Sequence, residues 1–273
     1  MLARLATGLV LAPLLVWLLL AGPLPLIVGV VALAAALATH ELLSMFDETR
    51  GSLAALAALL AAAIAAWPLL PAGVGIGLIG AGASLLLIVC LREPDDLVRQ
   101  SRAGALAVLG LGYVGAMAAA LSSIAALPDA GERGPFAFGP AALLGHFVLV
   151  FLGDTGAYFA GRFFGRRKLY PLVSPKKTIE GSIGGTLATV VGFVAYAHYV
   201  LPQLAPVEAA IGAGLVGVVA QIGDLAESMF KRATGTKDSG KLLPGHGGML
   251  DRIDGALFGA PWTLLWLTLL HGA

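Results

Sequence analysis

Between Ser228 and Asp254 the chain reads SMFKRATGTKDSGKLLPGHGGMLDRID, and it gathers Lys231, Arg232, Lys237, Asp238, Lys241, His246, Asp251, Arg252 and Asp254 in that one stretch. Carboxylates are hard oxygen ligands suited to a divalent cation such as Mg²⁺, and Lys and Arg donate to phosphate oxygens. The combination suits metal-assisted phosphoryl or nucleotidyl transfer. His246 has no second His or Cys at ligand spacing, so hard oxygens and magnesium fit better than zinc. The run Gly235–Leu242 (GTKDSGKL) approaches a P-loop, but Leu242 stands where the metal-binding hydroxyl belongs and no strand precedes it.

Three further polar groups interrupt apolar runs. Asp154 is followed by Tyr158 and Arg162 at i+4 and i+8, on one helix face. That face packs helices or lines a polar cavity. The core Ser174-Pro175-Lys176-Lys177-Thr178 sets two cations and two hydroxyls just before a helix start, with Glu180 in its first turn. This arrangement suits a polyphosphate, which accepts from N–H groups, hydroxyls and cations together. Asp224, Glu227, Ser228 and Lys231 fall at i, i+3, i+4 and i+7 and form one polar stripe on an apolar helix. A lysine there can snorkel, but short acidic side chains cannot.

The elements that position these groups are membrane spans. The chain is 58% hydrophobic and 12% charged, with mean hydropathy +0.90, where soluble domains carry about a quarter charged residues. Its apolar runs approach 20 residues, the length of a spanning helix, and no barrel-type alternation is visible. The reading is an all-α polytopic membrane protein with nine spans, at roughly 5–21, 24–43, 53–70, 73–91, 103–127, 140–161, 182–201, 207–228 and 253–271. The start resembles a secretory signal, but the spans behind it make it a retained first helix. Nine spans place sixteen of the seventeen Lys and Arg on the side of the N-terminus, leaving only Arg133 opposite. By the positive-inside rule the N-terminus is cytoplasmic. Cysteines introduced at Ser174 and Gly134, in a Cys90→Ala background, are therefore expected to label from opposite sides; labelling of both from one side would refute the nine-span arrangement. The lone Cys90 excludes an intramolecular disulfide and reads as a small helix-packing residue.

In chain order the spans divide into N-terminal helices (1–100), middle helices (101–165) and a C-terminal catalytic region (166–273). The pairs Gly161/Gly165 and Gly181/Gly185 read as close helix packing. Net charge +1 gives no reason to expect nucleic acid.

The Ser228–Asp254 segment resembles the signature of the phosphatidate cytidylyltransferase (CDP-diacylglycerol synthase) family. The resemblance is carried by Ser228, Lys231-Arg232, Lys237-Asp238, Gly240, His246-Gly247-Gly248 and Asp251-Arg252-Ile253-Asp254, with Gly153–Tyr158, Ser174–Thr178 and Gly223-Asp224 upstream. It implies transfer from CTP to phosphatidate, giving CDP-diacylglycerol and pyrophosphate with Mg²⁺. Asp224 and Asp251 are the metal ligands it implies, with Asp254 and Asp154 further out. Lys176, Lys177, Lys231, Arg232, Lys237 and Arg252 would hold phosphates, with Ser174, Thr178, Ser228 and Asp238 alongside. His246, Gly247 and Gly248 would sit against the nucleotide. The expected partners are CTP, phosphatidate and the bilayer, with a homodimer left open, and the expected location is a bacterial inner membrane with the site on the cytoplasmic side. The nearer alternative is another CTP-using membrane lipid enzyme, of polyprenol kinase or CDP-archaeol synthase type. An ion-coupled transporter would show paired motifs in two repeated halves, and none is visible.

Overall fold

In hydrocarbon the backbone can satisfy its polar groups only within itself, so long apolar runs fold as helices. The computed structural model, which describes residues 13–71, 73–92, 96–129, 135–242 and 247–271, bears this out. Helix α1 covers 13–21 among these residues. Then follow α2 (Leu24–Ser44), α3 (Gly51–Ala65), α4 (Val74–Leu91), α5 (Leu97–Gly110), α6 (Met117–Ala125), α7 (Phe138–Phe164), α8 (Ile179–Val200), α9 (Pro206–Ala233) and α10 (Leu250–His271). A π-helical turn, Leu111–Ala116, joins α5 to α6 into one span. Among the described residues seven helices are long and apolar enough to cross a membrane. Helix α3, at 15 residues, rises ~22 Å and falls short of a ~30 Å hydrocarbon core. The chain is a polytopic, all-α membrane protein.

Helix ends depart from the hydropathy edges where a cap extends them. Asp96 Oδ1 accepts from Arg99 N–H at 2.9 Å, so α5 starts at Leu97 rather than near 103. Thr178 Oγ1 accepts from Gly181 N–H at 3.1 Å and starts α8 at Ile179. Both ends are polar turns outside the apolar run but within the hydrogen-bonded helix. Among the described residues one segment pairs as strands. β1 (Lys168–Tyr170) and β2 (Ser174–Thr178) form an antiparallel hairpin, with Lys168 opposite Thr178 and Tyr170 opposite Ser174.

The chain divides into two compact units that interleave in sequence. The described part of the first lies within Pro23–Ser123 and Ala233–Ile253; that of the second lies within Pro13–Gly22, Ile124–Arg232 and 254–271. In the first unit Leu43, Ala57, Ala61, Ile64, Leu86, Cys90, Ala107 and Leu111 share a buried core. Cys90 is a packing residue there. Gly115 lies against the backbone of α3: a Cβ on it would be 3.1 Å from Ala61 Cα.

In the second unit α7 and α8 meet along small residues. A Cβ on Gly184 would lie 2.2 Å from Ala160 Cβ, and one on Gly156 would lie 2.4 Å from Ala188 Cβ. Gly161 faces Gly181 in the same seam, which is close packing of the small-xxx-small kind. Gly184→Leu is expected to force the pair apart at a cost of ~1–3 kcal/mol or more, read as a lower melting temperature in detergent. An unchanged melting temperature would mean that the seam is not tight. Buried His146 joins α7 to α10: its Nε2 lies 2.9 Å from the Ala256 carbonyl and its Nδ1 2.9 Å from Thr263 Oγ1. A carbonyl only accepts, so Nε2 carries the proton and the threonine hydroxyl donates to Nδ1.

Candidate active site

The second unit brings carboxylates and cations together. Helix α9 presents its polar stripe, and α10 adds Asp254 one turn beyond Asp251. Carboxylate oxygens of Asp224, Glu227 and Asp254 all lie within 4.8 Å of one another. Glu227 is 1% exposed, so its charge is nearly cut off from water. Like charges this close repel unless cations offset them. Lys231 Nζ lies 2.5 Å from Glu227 Oε2, and Lys177 Nζ lies 2.6 Å from Asp224 Oδ2. Oxygens bound to one Mg²⁺ lie at most about 4.2 Å apart, twice the usual metal–oxygen distance. Three hard oxygens within 4.8 Å therefore fit such an ion after a small inward adjustment.

Beside this group lies a cavity of about 350 Å³ lined by Asp154, Tyr158, Arg162, Lys176, Lys177, Ser182, Gln221 and Asp224, among others. The hairpin positions its cations: β2 runs Ser174 to Thr178 and carries Lys176 and Lys177 into the wall. Glu180 holds the other end of the hairpin, accepting from Arg166 N–H at 2.9 Å and Arg167 N–H at 3.1 Å. Arg232 Nε donates to the Val173 carbonyl at 3.3 Å, tying α9 to the hairpin turn. Arg162 Nη1 donates to Tyr158 Oη at 2.9 Å, so the Asp154–Tyr158–Arg162 face is a cavity wall. Gln221 exchanges hydrogen bonds with Ser182, which fixes the floor between α8 and α9. Ser228 Oγ lies 3.4 Å from Asp224 Oδ1.

The remaining signature residues belong to the first unit. Asp251 Oδ2 accepts from Ser239 N–H at 2.8 Å, Ser239 Oγ at 2.9 Å and Gly248 N–H at 2.8 Å. Within the second unit Glu227 and Asp254 converge with Asp224, and within the first unit Asp251, the other expected metal ligand, anchors a loop. Gly247 has φ +80°, and a Cβ on it would lie 2.6 Å from Asp251 Oδ2. A Cβ on Gly248 would meet Ser239 Oγ at 2.3 Å and Glu41 Oε2 at 2.4 Å. These glycines make room for side chains of the loop base. Lys237, Asp238 and Arg252 are exposed, and His246 lies outside the described residues.

Two acids were not singled out from the sequence as site residues. Glu227 carried a signal, since it shares the stripe with Asp224. Glu41 carried a weaker one, a lone acid near the end of an apolar span.

Fold and site together define a polytopic membrane protein with a carboxylate group beside a cationic cavity. More narrowly, the chain belongs to the cytidylyltransferase family, whose description matches residues 2–270. It is similar to proteins named phosphatidate cytidylyltransferase from three bacteria. Identity is 45% over 115 residues with Staphylococcus haemolyticus, covering 42% of this chain and 44% of that protein. It is 47% over 116 residues with Staphylococcus aureus strain COL, covering 42% and 44%. It is 46% over 124 residues with Haemophilus influenzae, covering 44% and 43%. The chain thus spans less than half the length of these curated relatives.

Proposed function

We propose that this protein transfers the cytidylyl group of CTP to phosphatidate, forming CDP-diacylglycerol and releasing pyrophosphate. The observation that carries this reading is the double position of Asp224: it belongs to the carboxylate group and also lines the cationic cavity. A phosphate held by Lys176, Lys177 and Arg162 would therefore lie next to the carboxylates. The relatives named phosphatidate cytidylyltransferase support the choice of nucleotide and lipid.

The lipid phosphate oxygen is already an anion at neutral pH, so the reaction needs no strong base. It needs two polyanions brought together and the growing charge on the α-phosphorus offset. Asp224, Glu227 and Asp254 would hold Mg²⁺, which supplies Lewis-acid neutralisation of phosphate oxygens. Asp224 holds the Lys177 ammonium at the cavity wall, and Glu227 holds Lys231. Each lysine is thereby oriented before substrate arrives. Arg162, steadied by Tyr158, supplies a planar fork for two phosphate oxygens. The acyl chains would lie along the exposed aromatic face of α7 formed by Tyr158, Phe159 and Phe163. The bacterial relatives support an inner-membrane location, and the charge asymmetry of the loops supports a cytoplasmic side for this site.

The reading is tested by nucleotide choice. Purified protein with phosphatidate and Mg²⁺ is expected to consume CTP or dCTP in preference to ATP and to release pyrophosphate. Release of CDP with a newly phosphorylated lipid would instead identify a kinase.

A further inference from the structure

We infer that Glu41, near the end of α2, is a positioning residue that fixes the base of the loop between Ser239 and Leu250. The inference rests on the cytidylyltransferase reading for its kinetic consequence. Glu41 Oε2 accepts from Leu250 N–H at 2.9 Å and from Ser239 Oγ at 3.3 Å. Ser239 and Leu250 are the two ends of the loop, and one carboxylate oxygen accepts a hydrogen bond from the Leu250 N–H and shares the Ser239 hydroxyl with Asp251 Oδ2. Leu250 opens α10, so its N–H belongs to the first turn and has no partner within that helix. Glu41 caps that turn from a position 209 residues away in sequence.

Local preference opposes an acid at this place. Glu41 lies in the last turn of α2, where the helix end is negative and a cation is favoured. Its use is therefore tertiary. The loop sequence is shaped around it: a Cβ on Gly240 would lie 2.5 Å from Glu41 Oε1, and one on Gly248 would lie 2.4 Å from Oε2. Two glycines of the signature thus make room for a glutamate from the N-terminal half. Ser239 completes the base by bonding to Asp251 through both its N–H and its hydroxyl. That contact ties together the two stretches of backbone that carry the exposed Lys237, two residues before Ser239, and the exposed Arg252, next to Asp251. Two cations carried on backbone tied in this way suit a polyphosphate, so the base set by Glu41 governs how the nucleotide's phosphates are held.

The test uses the full-length protein in detergent, with E41A, E41Q and S239A. In E41A the KM for CTP is expected to rise at least ~tenfold, as the loss of charge-assisted hydrogen bonds implies, while the KM for phosphatidate stays near the wild-type value. Amide exchange of the segments carrying Ser239 and Leu250 should quicken. E41Q keeps an acceptor oxygen and should fall between wild type and E41A, and S239A should show the same KM split. If E41A does not fold, E41Q and S239A decide by that split. An unchanged KM for CTP in the folded variants, or equal rises for both substrates, would overturn the positioning role. A wild-type protein that turns over no CTP would instead remove the cytidylyltransferase reading. Amide exchange would then decide the Glu41 clamp alone, with faster exchange supporting it and unchanged exchange overturning it.

Discussion

Asp224→Asn is expected to remove most cytidylyl transfer and to weaken the response to Mg²⁺. Asparagine keeps the size and polarity of the side chain but loses its charge. Two things fail together: a hard ligand leaves the Asp224–Glu227–Asp254 group, and Lys177 loses the carboxylate 2.6 Å from its ammonium. Removing one preorganised electrostatic contact from a transfer site costs ~10²–10³-fold in rate, and a fall of at least that size in kcat/KM is expected here. Asp254→Asn should act on the same site, so the double variant should lose little beyond either single change. Asp251→Asn should behave differently. Its charge serves three donors at the loop base, so activity should fall while the magnesium titration keeps its midpoint. A matching shift of the titration in Asp251→Asn, with none in Asp254→Asn, would instead make Asp224 and Asp251 the metal pair.

The second large effect is expected at the hairpin. Replacing Lys176 and Lys177 together by Gln should raise the KM for CTP or lower kcat more than tenfold, with expression and orientation intact. Each charge-assisted hydrogen bond lost is worth ~1.5–3 kcal/mol. The two residues should not be equal. Lys176 is exposed at the cavity wall, whereas Lys177 is half-buried and paired with Asp224. Lys177→Gln alone should therefore cost more, because it also leaves Asp224 without that partner. Steady-state kinetics of the two single variants and the double variant measure this directly. Near-normal kinetics in the double variant would reduce the hairpin to a topology signal.

The fold class was legible because a bilayer permits few solutions. Long apolar runs can only be helices, and their lengths follow from the hydrocarbon thickness. What hydropathy misses is the polar turn at a helix end, where Asp96 and Thr178 cap through side-chain oxygens. The hairpin was hidden because Lys168–Thr178 is too short and too charged to show a strand period, and it is held by Glu180 and Arg232 instead. At the site, helical spacing correctly aligned Asp224, Glu227 and Lys231 on one face. Spacing could not show that Asp254, beyond a loop in the chain, joins Asp224 and Glu227. Glu41 was the hardest to read. Its partners lie about two hundred residues away, and nothing local indicates that a lone acid in α2 is answered by Ser239 and Leu250.

The most direct measurement follows the phosphates of CTP. Purified protein is given phosphatidate, Mg²⁺ and CTP labelled at either the α- or the γ-phosphate, and the lipid fraction is separated from the aqueous one. Label from the α-position is expected in the lipid as CDP-diacylglycerol, and label from the γ-position in aqueous pyrophosphate, with both transfers lost in Asp224→Asn. Label from the γ-position in the lipid, or full transfer in Asp224→Asn, would contradict a cytidylyl transfer carried out at the Asp224 carboxylate group.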